Sequence, residues 1–208
     1  MKNPLSTGLC CLLLWLVPLL AHAQVNSGSN GSDGAFNPTT NTVINMADHP
    51  DGIYHYTSVN ISNGVTVTFI PNANYTPVVW LVQSNCVISG TVDISGKTLD
   101  WDTAQGGTGG PGGYRGGNGQ NGANPATSGS GLGGGELGGG GSFGTGGIAS
   151  GSNTYGNSFL VPLIGGSGGG GSSSTCGAAG EGGGGGGGAL LIAASGTITL
   201  NGSITAMG

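Results

Sequence analysis

Two pairs of aspartates are the residues of this chain that come closest to a metal site. Asp48 and Asp51 share one turn, and Asp100 and Asp102 flank Trp101 just before a glycine-rich stretch. Carboxylate oxygens are ligands that Ca²⁺ prefers, so these four aspartates are weak calcium candidates. Asp and Gly also satisfy turn geometry without any ligand. The sequence therefore predicts no metal and no cofactor.

Acid–base and nucleophilic chemistry have few residues to draw on. Behind the amino-terminal leader the chain has two basic residues, Lys97 and Arg115, and two histidines, His49 and His55. A glycosidase needs two carboxylates held at a set separation, and the glycine runs lack the lysine of a phosphate-binding loop. We therefore predict that the protein is not an enzyme and has no catalytic residue. A polysaccharide lyase or hydrolase is a disfavoured alternative.

Aromatic side chains offer a different chemistry, because a flat ring can stack on a sugar. Tyr54, Tyr56 and Trp101 are the candidate glycan contacts. They support a polysaccharide-binding or adhesin module as the alternative function. Ice binding is a weaker variant, since Thr66 and Thr68 form too short a row of threonines.

The composition argues against a strong electrostatic partner. Charged residues make up 5% of the 208 residues, and the formal net charge is −5. Two basic residues outside the leader cannot neutralise the phosphates of a nucleic acid, so we expect no nucleic-acid partner. A weakly charged surface rich in Gly, Ser, Thr and Asn favours self-association.

Residues 1–23 have the pattern of a secretory signal peptide. Lys2 is followed by the apolar run LCCLLLWLVPLL and by Ala21-His22-Ala23, a small-x-small cleavage site. No later segment is apolar for long enough to cross a bilayer. The sequence therefore predicts an exported protein whose mature chain has no transmembrane segment.

Short runs of alternating apolar and polar residues, separated by Gly, Pro and Asn, predict an all-β protein. Residues 78–96 align without a gap against residues 190–208, and residues 59–67 form a looser copy. Repeated short strands that turn at a glycine suit the coils of a right-handed parallel β-helix, or β-solenoid. An antiparallel β-sandwich is the alternative.

The glycine-rich stretch divides the predicted solenoid. We expect solenoid coils in residues 24–105, a glycine-rich insertion in residues 106–188 and a final coil in residues 189–208. So many glycines cannot build a core of side chains. The stretch could be a flexible linker, a set of polyproline-II-like strands packed through bare backbone, or an insertion tied down at both ends.

Two further expectations concern cross-links and the carboxyl end. Cys86 and Cys176 could form a disulfide in an oxidising compartment, or Cys86 could be a buried strand residue and Cys176 a free thiol. The sequence stops at Gly208, directly after a coil. An uncovered coil has an unpaired edge, so we expect either assembly through this edge or a longer protein.

Four segments resemble a group of exported glycine-rich bacterial surface proteins. They are DGIYHYTSVNISNGVTVTFIPN, PVVWLVQSNCVISGTVDISG, GGPGGYRGGNGQNG and GGGGGGGALLIAASGTITLNGSI. The resemblance implies a bacterial, extracellular or cell-surface protein with β-helical structure, and it carries over no catalytic residues.

These observations together predict an exported structural protein of the cell surface or extracellular matrix. Its partners would be further copies of itself, in an oligomer or a fibre, with polysaccharide as the alternative partner.

Overall fold

The computed structural model describes residues 25–98, 104–144, 154–174 and 179–208. These residues contain ten β-strands and one short 3-10 helix, Met46–Asp48, which confirms the all-β class. The strands are β1 (Gly34–Phe36), β2 (Thr42–Asn45), β3 (Ile53–Ile61), β4 (Thr66–Ile70), β5 (Val78–Val82), β6 (Cys86–Ile88), β7 (Thr91–Asp93), β8 (Leu190–Ala194), β9 (Ile198–Leu200) and β10 (Ser203–Thr205).

The strands form two sheets in which every strand pairing is parallel. One sheet has the order β8-β5-β3-β6-β9 with β1 also on β3, and the other has the order β10-β7-β4-β2. The pairing stacks the chain in four layers: β1 and β2, then β3 and β4, then β5 to β7, then β8 to β10. The antiparallel sandwich is therefore wrong, because each strand returns parallel to the strand one layer before it instead of folding back as a hairpin.

The residues that align in the sequence repeat are the residues that pair between the last two layers. Val78 pairs with Leu190, and Cys86 pairs with Ile198, as in the gapless alignment. Side chains follow the same register at a separation of 112 residues: the hydroxyls of Thr91 and Ser203 lie 3.0 Å apart. Aliphatic residues therefore lie directly over aliphatic residues from one layer to the next.

Inward side chains of the strands form one apolar core. Its largest fully buried members are Trp80, Met46, Ile61 and Ile88. Phe36 stacks on Tyr56 at 5.2 Å between ring centroids and contacts Trp80 at 5.9 Å, so an aromatic cluster closes the core at the first layer. Burial of these aromatic and aliphatic side chains stabilises the strand stack.

The glycine-rich residues between β7 and β8 are packed rather than loose. Six extended segments, which we call the glycine bundle, lie side by side: residues 104–110, 113–120, 127–130, 133–142, 165–172 and 180–188. Backbone donors recur at every third residue, as a polyproline-II helix with three residues per turn requires. In one such run Gly180, Gly183 and Gly186 donate to the carbonyl oxygens of Gln120, Gly117 and Tyr114.

Contacts inside the glycine bundle are between backbones. A methyl group added to Gly183 would overlap the backbone oxygen of Gly169, and one added to Gly186 would overlap that of Gly166. Of the three arrangements compatible with the sequence, the described residues adopt the packed polyproline-II-like one. The bundle joins the strand stack through Gly188, whose N–H donates to Ile94, and Ala189, whose N–H donates to Pro111.

Within the described ranges, no helix has the length and apolar character needed to cross a membrane.

Candidate functional site

The last layer, β8 to β10, lies at one end of the strand stack, and the inward aliphatic side chains of β9 and β10 are exposed there. Leu200 is 52% exposed, whereas Ile88, its partner one layer earlier, is completely buried. Ile198 over Cys86 and Ile204 over Val92 show the same contrast. Within the described residues these aliphatic side chains have a neighbouring layer on one side only.

This open end continues into an apolar groove of about 870 Å³. One wall is the last layer and the other is the chain that borders the glycine bundle. The groove is apolar because aliphatic side chains line both walls: Leu190, Ile192 and Ile204 on the first and Leu160, Leu163 and Ile164 on the second. We call this groove with the uncovered side chains of β8 to β10 the open end.

The open end has no electrostatic protection. Residues 189–208 contain no charged side chain and no proline. Natural edge strands usually carry charges, prolines or bulges that prevent further strand pairing. The backbone groups of β8 to β10 on the side away from β5 to β7 therefore form an undefended edge.

The opposite end of the stack has such protection. β1 pairs with β3 through an irregular register between Gly34 and Ala35, and Pro38 follows β1. Asp33 accepts hydrogen bonds from the backbone N–H of His55 and contacts Nε2 of His49 at 3.1 Å. Charge, a bulge and a proline thus lie at β1, in addition to the Phe36 ring.

The calcium candidates do not form a metal site in the part of the chain that is described. Asp48 lies at the end of the 3-10 helix, and the Asp51 carboxylate accepts the backbone N–H of Ile53 as a turn residue does. No group of three or more His, Cys, Asp or Glu side chains among the described residues could hold an ion. Asp100 and Asp102 lie outside those residues.

The prediction that Tyr54 and Tyr56 contact a glycan is wrong. Both rings point into the core, and Tyr54 is only 3% exposed. Tyr54 stacks on His49 at 4.2 Å and on Tyr56 at 5.8 Å. Burial, helped by the charge of Asp33, raises the pKa of Tyr54 to about 12. Trp101, the third candidate, lies outside the described residues.

Cys86 is a buried strand residue, and its sulfur has no disulfide partner among the described residues. Burial raises the pKa of this thiol to about 11, which keeps it protonated and unreactive at neutral pH. Cys176 lies outside the described residues, so its pairing with Cys86 stays a prediction.

Asp93 connects the third layer to the last. Its carboxylate accepts hydrogen bonds from the Thr205 hydroxyl at 2.8 Å and from the Ser95 backbone N–H at 3.0 Å. Partial burial opposes ionisation of Asp93, but these hydrogen bonds and the charge of Lys97 outweigh it and hold the pKa below its ordinary value.

An exposed apolar loop, which sequence reasoning missed, lies beside the open end. Phe159 is 85% exposed, and Val161 is also exposed. The Asn157 side chain holds the loop, because its oxygen accepts the N–H of Phe159 and its amide donates to the carbonyl of Val161. The run FLVPLI, residues 159–164, is a sequence signal for this loop, since it is the longest apolar run among the glycine repeats.

Comparison of the chain with known proteins gave no matching family model, no matching curated protein and no matching solved structure.

Proposed function

We propose that the protein is an exported structural protein of the bacterial cell surface or extracellular matrix, in which copies associate through the open end. We further propose that the strand stack is a right-handed parallel β-solenoid. The parallel pairing of all four layers and the constant register of the last two support this geometry. The signal-peptide pattern of residues 1–23 supports export.

The observation that carries the proposal is the open end. A monomer that exposes a contiguous apolar groove next to an unpaired sheet edge has two reasons to associate, because burial of aliphatic surface and completion of backbone hydrogen bonds both favour contact. The glycine bundle suits a structural role, since an interior of close-packed backbone gives a rigid element without a side-chain core.

Export and association are tested separately. Expression of the full chain in a bacterial host should give an extracellular or surface product that begins at Gln24. A cytoplasmic product with an intact leader would contradict export. Sedimentation equilibrium of the mature chain should show a species larger than one copy, and a monomer at every concentration would contradict association.

A binding module for polysaccharide is the second proposal, and the loop around Phe159 is the observation that favours it. An aromatic ring held outward by Asn157 is a plausible stacking surface for a sugar. Affinity electrophoresis in polysaccharide gels should show retardation that Phe159→Ser removes and Tyr75→Ser preserves. Equal mobility of wild type and Phe159→Ser in every gel would remove this function.

A further inference from the structure

We propose that the exposed apolar loop, residues 157–162, inserts its tip into a lipid bilayer and holds the exported protein on a membrane surface. Such an anchor lies in the bilayer interface and does not span the membrane. Membrane attachment goes beyond the proposed structural function, because it adds a lipid partner. It does not require association through the open end.

The tip of the loop presents three consecutive apolar side chains to solvent. Phe159 is 85% exposed, Val161 is 72% exposed, and Leu160 between them is 52% exposed. Transfer of such side chains from water into hydrocarbon is favourable in proportion to the apolar area that is transferred. Because the three residues are neighbours on one turn, they can enter the same apolar medium together.

The backbone donors of the tip are already bonded within the loop. The Asn157 side-chain oxygen accepts the N–H of Phe159 at 2.9 Å and that of Val161 at 3.5 Å. The Asn157 carbonyl accepts the N–H of Leu160 at 3.1 Å, and Pro162 has no N–H. The Val161 carbonyl accepts the Asn157 amide at 2.8 Å. Hydrocarbon offers no partner to a backbone group, so a tip whose donors are already bonded enters it at a lower cost.

The backbone of Leu160 indicates that an apolar side chain is kept on the tip against a conformational preference. Its φ is 52°, in the left-handed region that residues with a β-carbon rarely adopt. Glycine takes such positions elsewhere among the glycine repeats, as at Gly131 and Gly138. Strained residues of this kind cluster at functional sites, and here the strain keeps a leucine between Phe159 and Val161.

Charge indicates which partner the loop suits. Residues 137–180 contain no charged side chain, so the loop and the chain on either side of it bring no ion into a bilayer. The formal net charge of −5 provides no attraction to anionic headgroups. A sugar would bring hydroxyl groups that need partners, and the donors of the tip are already used within the loop. These features favour the hydrocarbon of a neutral lipid over a polysaccharide.

Flotation of the mature chain with phosphatidylcholine vesicles tests membrane attachment, with a matched pair of variants. The wild type should float with the vesicles, and phosphatidylglycerol should not increase its binding. Phe159→Ser removes the most exposed ring and should weaken binding on the order of tenfold or more. Leu137→Ser, at an aliphatic position that is also half exposed but follows Glu136, should bind as the wild type does.

A third variant tests the role of Asn157 in positioning the tip. Asn157→Ala removes no apolar side chain, but it frees the N–H groups of Phe159 and Val161. It should therefore weaken vesicle binding, because those donors would lose their bonds on entering hydrocarbon. Binding equal to that of the wild type would contradict insertion of the backbone of the tip.

The outcomes separate membrane attachment from the functions proposed above. Absence of the wild type from the floating vesicles, or equal flotation of wild type and Phe159→Ser, would overturn membrane attachment. Association measured without lipid would be unaffected by that result. Retardation in polysaccharide gels without flotation would overturn it in favour of a sugar. If Phe159→Ser fails to fold, Phe159→Trp decides: its emission should shift to the blue with vesicles, and an unchanged emission would overturn membrane attachment.

Discussion

In the strand stack the space between neighbouring segments is filled by side chains such as Trp80 and Ile61, whereas in the glycine bundle it is filled by the backbone itself. Layers of the stack are held by parallel strand pairs and by the apolar surface that they bury. Segments of the bundle are held by one backbone hydrogen bond every three residues, with peptide groups in direct contact.

The two regions therefore differ in the substitutions that they tolerate. A side-chain core that loses a methyl group keeps most of its contacts and loses stability gradually. A backbone core has no space for even one methyl group at the contact positions, because the neighbouring carbonyl cannot rotate away as a side chain can. Small changes should therefore have larger effects in the bundle than in the stack.

The largest effect is expected for Gly183→Ala in the glycine bundle. Its methyl group would overlap the Gly169 carbonyl, so we expect a loss of about 3 kcal/mol or more, or failure of the bundle to form. Gly184→Ala is the control, because the nearest atom to its methyl group is the Thr98 methyl at 3.4 Å. Chemical denaturation should find the control equal to the wild type or slightly more stable. Equal losses in both variants would contradict backbone packing.

The next largest loss of stability is expected in the strand stack, where two of its layers can be compared. Ile88→Ala should cost about 2–5 kcal/mol, because it opens a cavity in a filled core. Leu200→Ala, at the paired position of the last layer, should cost about 1 kcal/mol in dilute protein, because half of the side chain is already exposed. Denaturation at low protein concentration measures both. Similar costs would mean that the open end is covered in the isolated chain.

A smaller effect should come from the polar atom that the aromatic cluster buries. Within the described residues the Tyr54 hydroxyl has no hydrogen-bond partner, so Tyr54→Phe should be neutral or stabilising by about 1 kcal/mol at neutral pH. The Tyr54 pKa is raised in the folded state, so ionisation of Tyr54 costs no stability below pH 10, and stability falls as pH rises from there towards about 12.

Alkaline denaturation monitored by tyrosinate absorbance measures this loss. It should be reduced in Tyr54→Phe and unchanged in Tyr75→Phe, whose ring is 38% exposed. Unaltered alkaline unfolding in Tyr54→Phe would contradict the buried position of this phenol.

The smallest effect should come from Asp93, a polar link on the surface of the stack. The folded state lowers the pKa of Asp93, so its contribution is present above the ordinary carboxyl range and is lost as pH falls through the folded pKa. Thr205→Val removes a donor and should move this pKa upward in an NMR titration. A titration curve that does not move would show that Ser95 and Lys97 suffice.

Sequence periodicity predicted the strands and the register of the last two layers, because residues 78–96 and 190–208 repeat both apolar positions and glycine turns. The glycan prediction for Tyr54 and Tyr56 was wrong because it rested on ring chemistry alone. The inward face changes phase within β3: Tyr54 and Tyr56 point inward, and then Val59 and Ile61 do. The change falls where β3 leaves its pairing with β5 and begins its pairing with β6.

The recurring Gly-Gly-X triplets in residues 106–118 are a signal for three-residue helices that could have selected the packed arrangement. Of the four X positions, Thr108 and Asn118 are exposed, Tyr114 is half-buried and Pro111 is buried. Which segments would be neighbours could not be predicted, since glycine segments are chemically alike and any of them could pair with any other.

By itself the sequence determined that the glycine-rich residues could pack only through their backbone and that the last layer would repeat the third. Only the tertiary structure decided that Gly183 is closely enclosed while Gly184 is not, and that Leu200 is half exposed where Ile88 is buried. The physical reason is that a residue's own chemistry sets what contact it can make, whereas the space around it is set by segments distant in the chain.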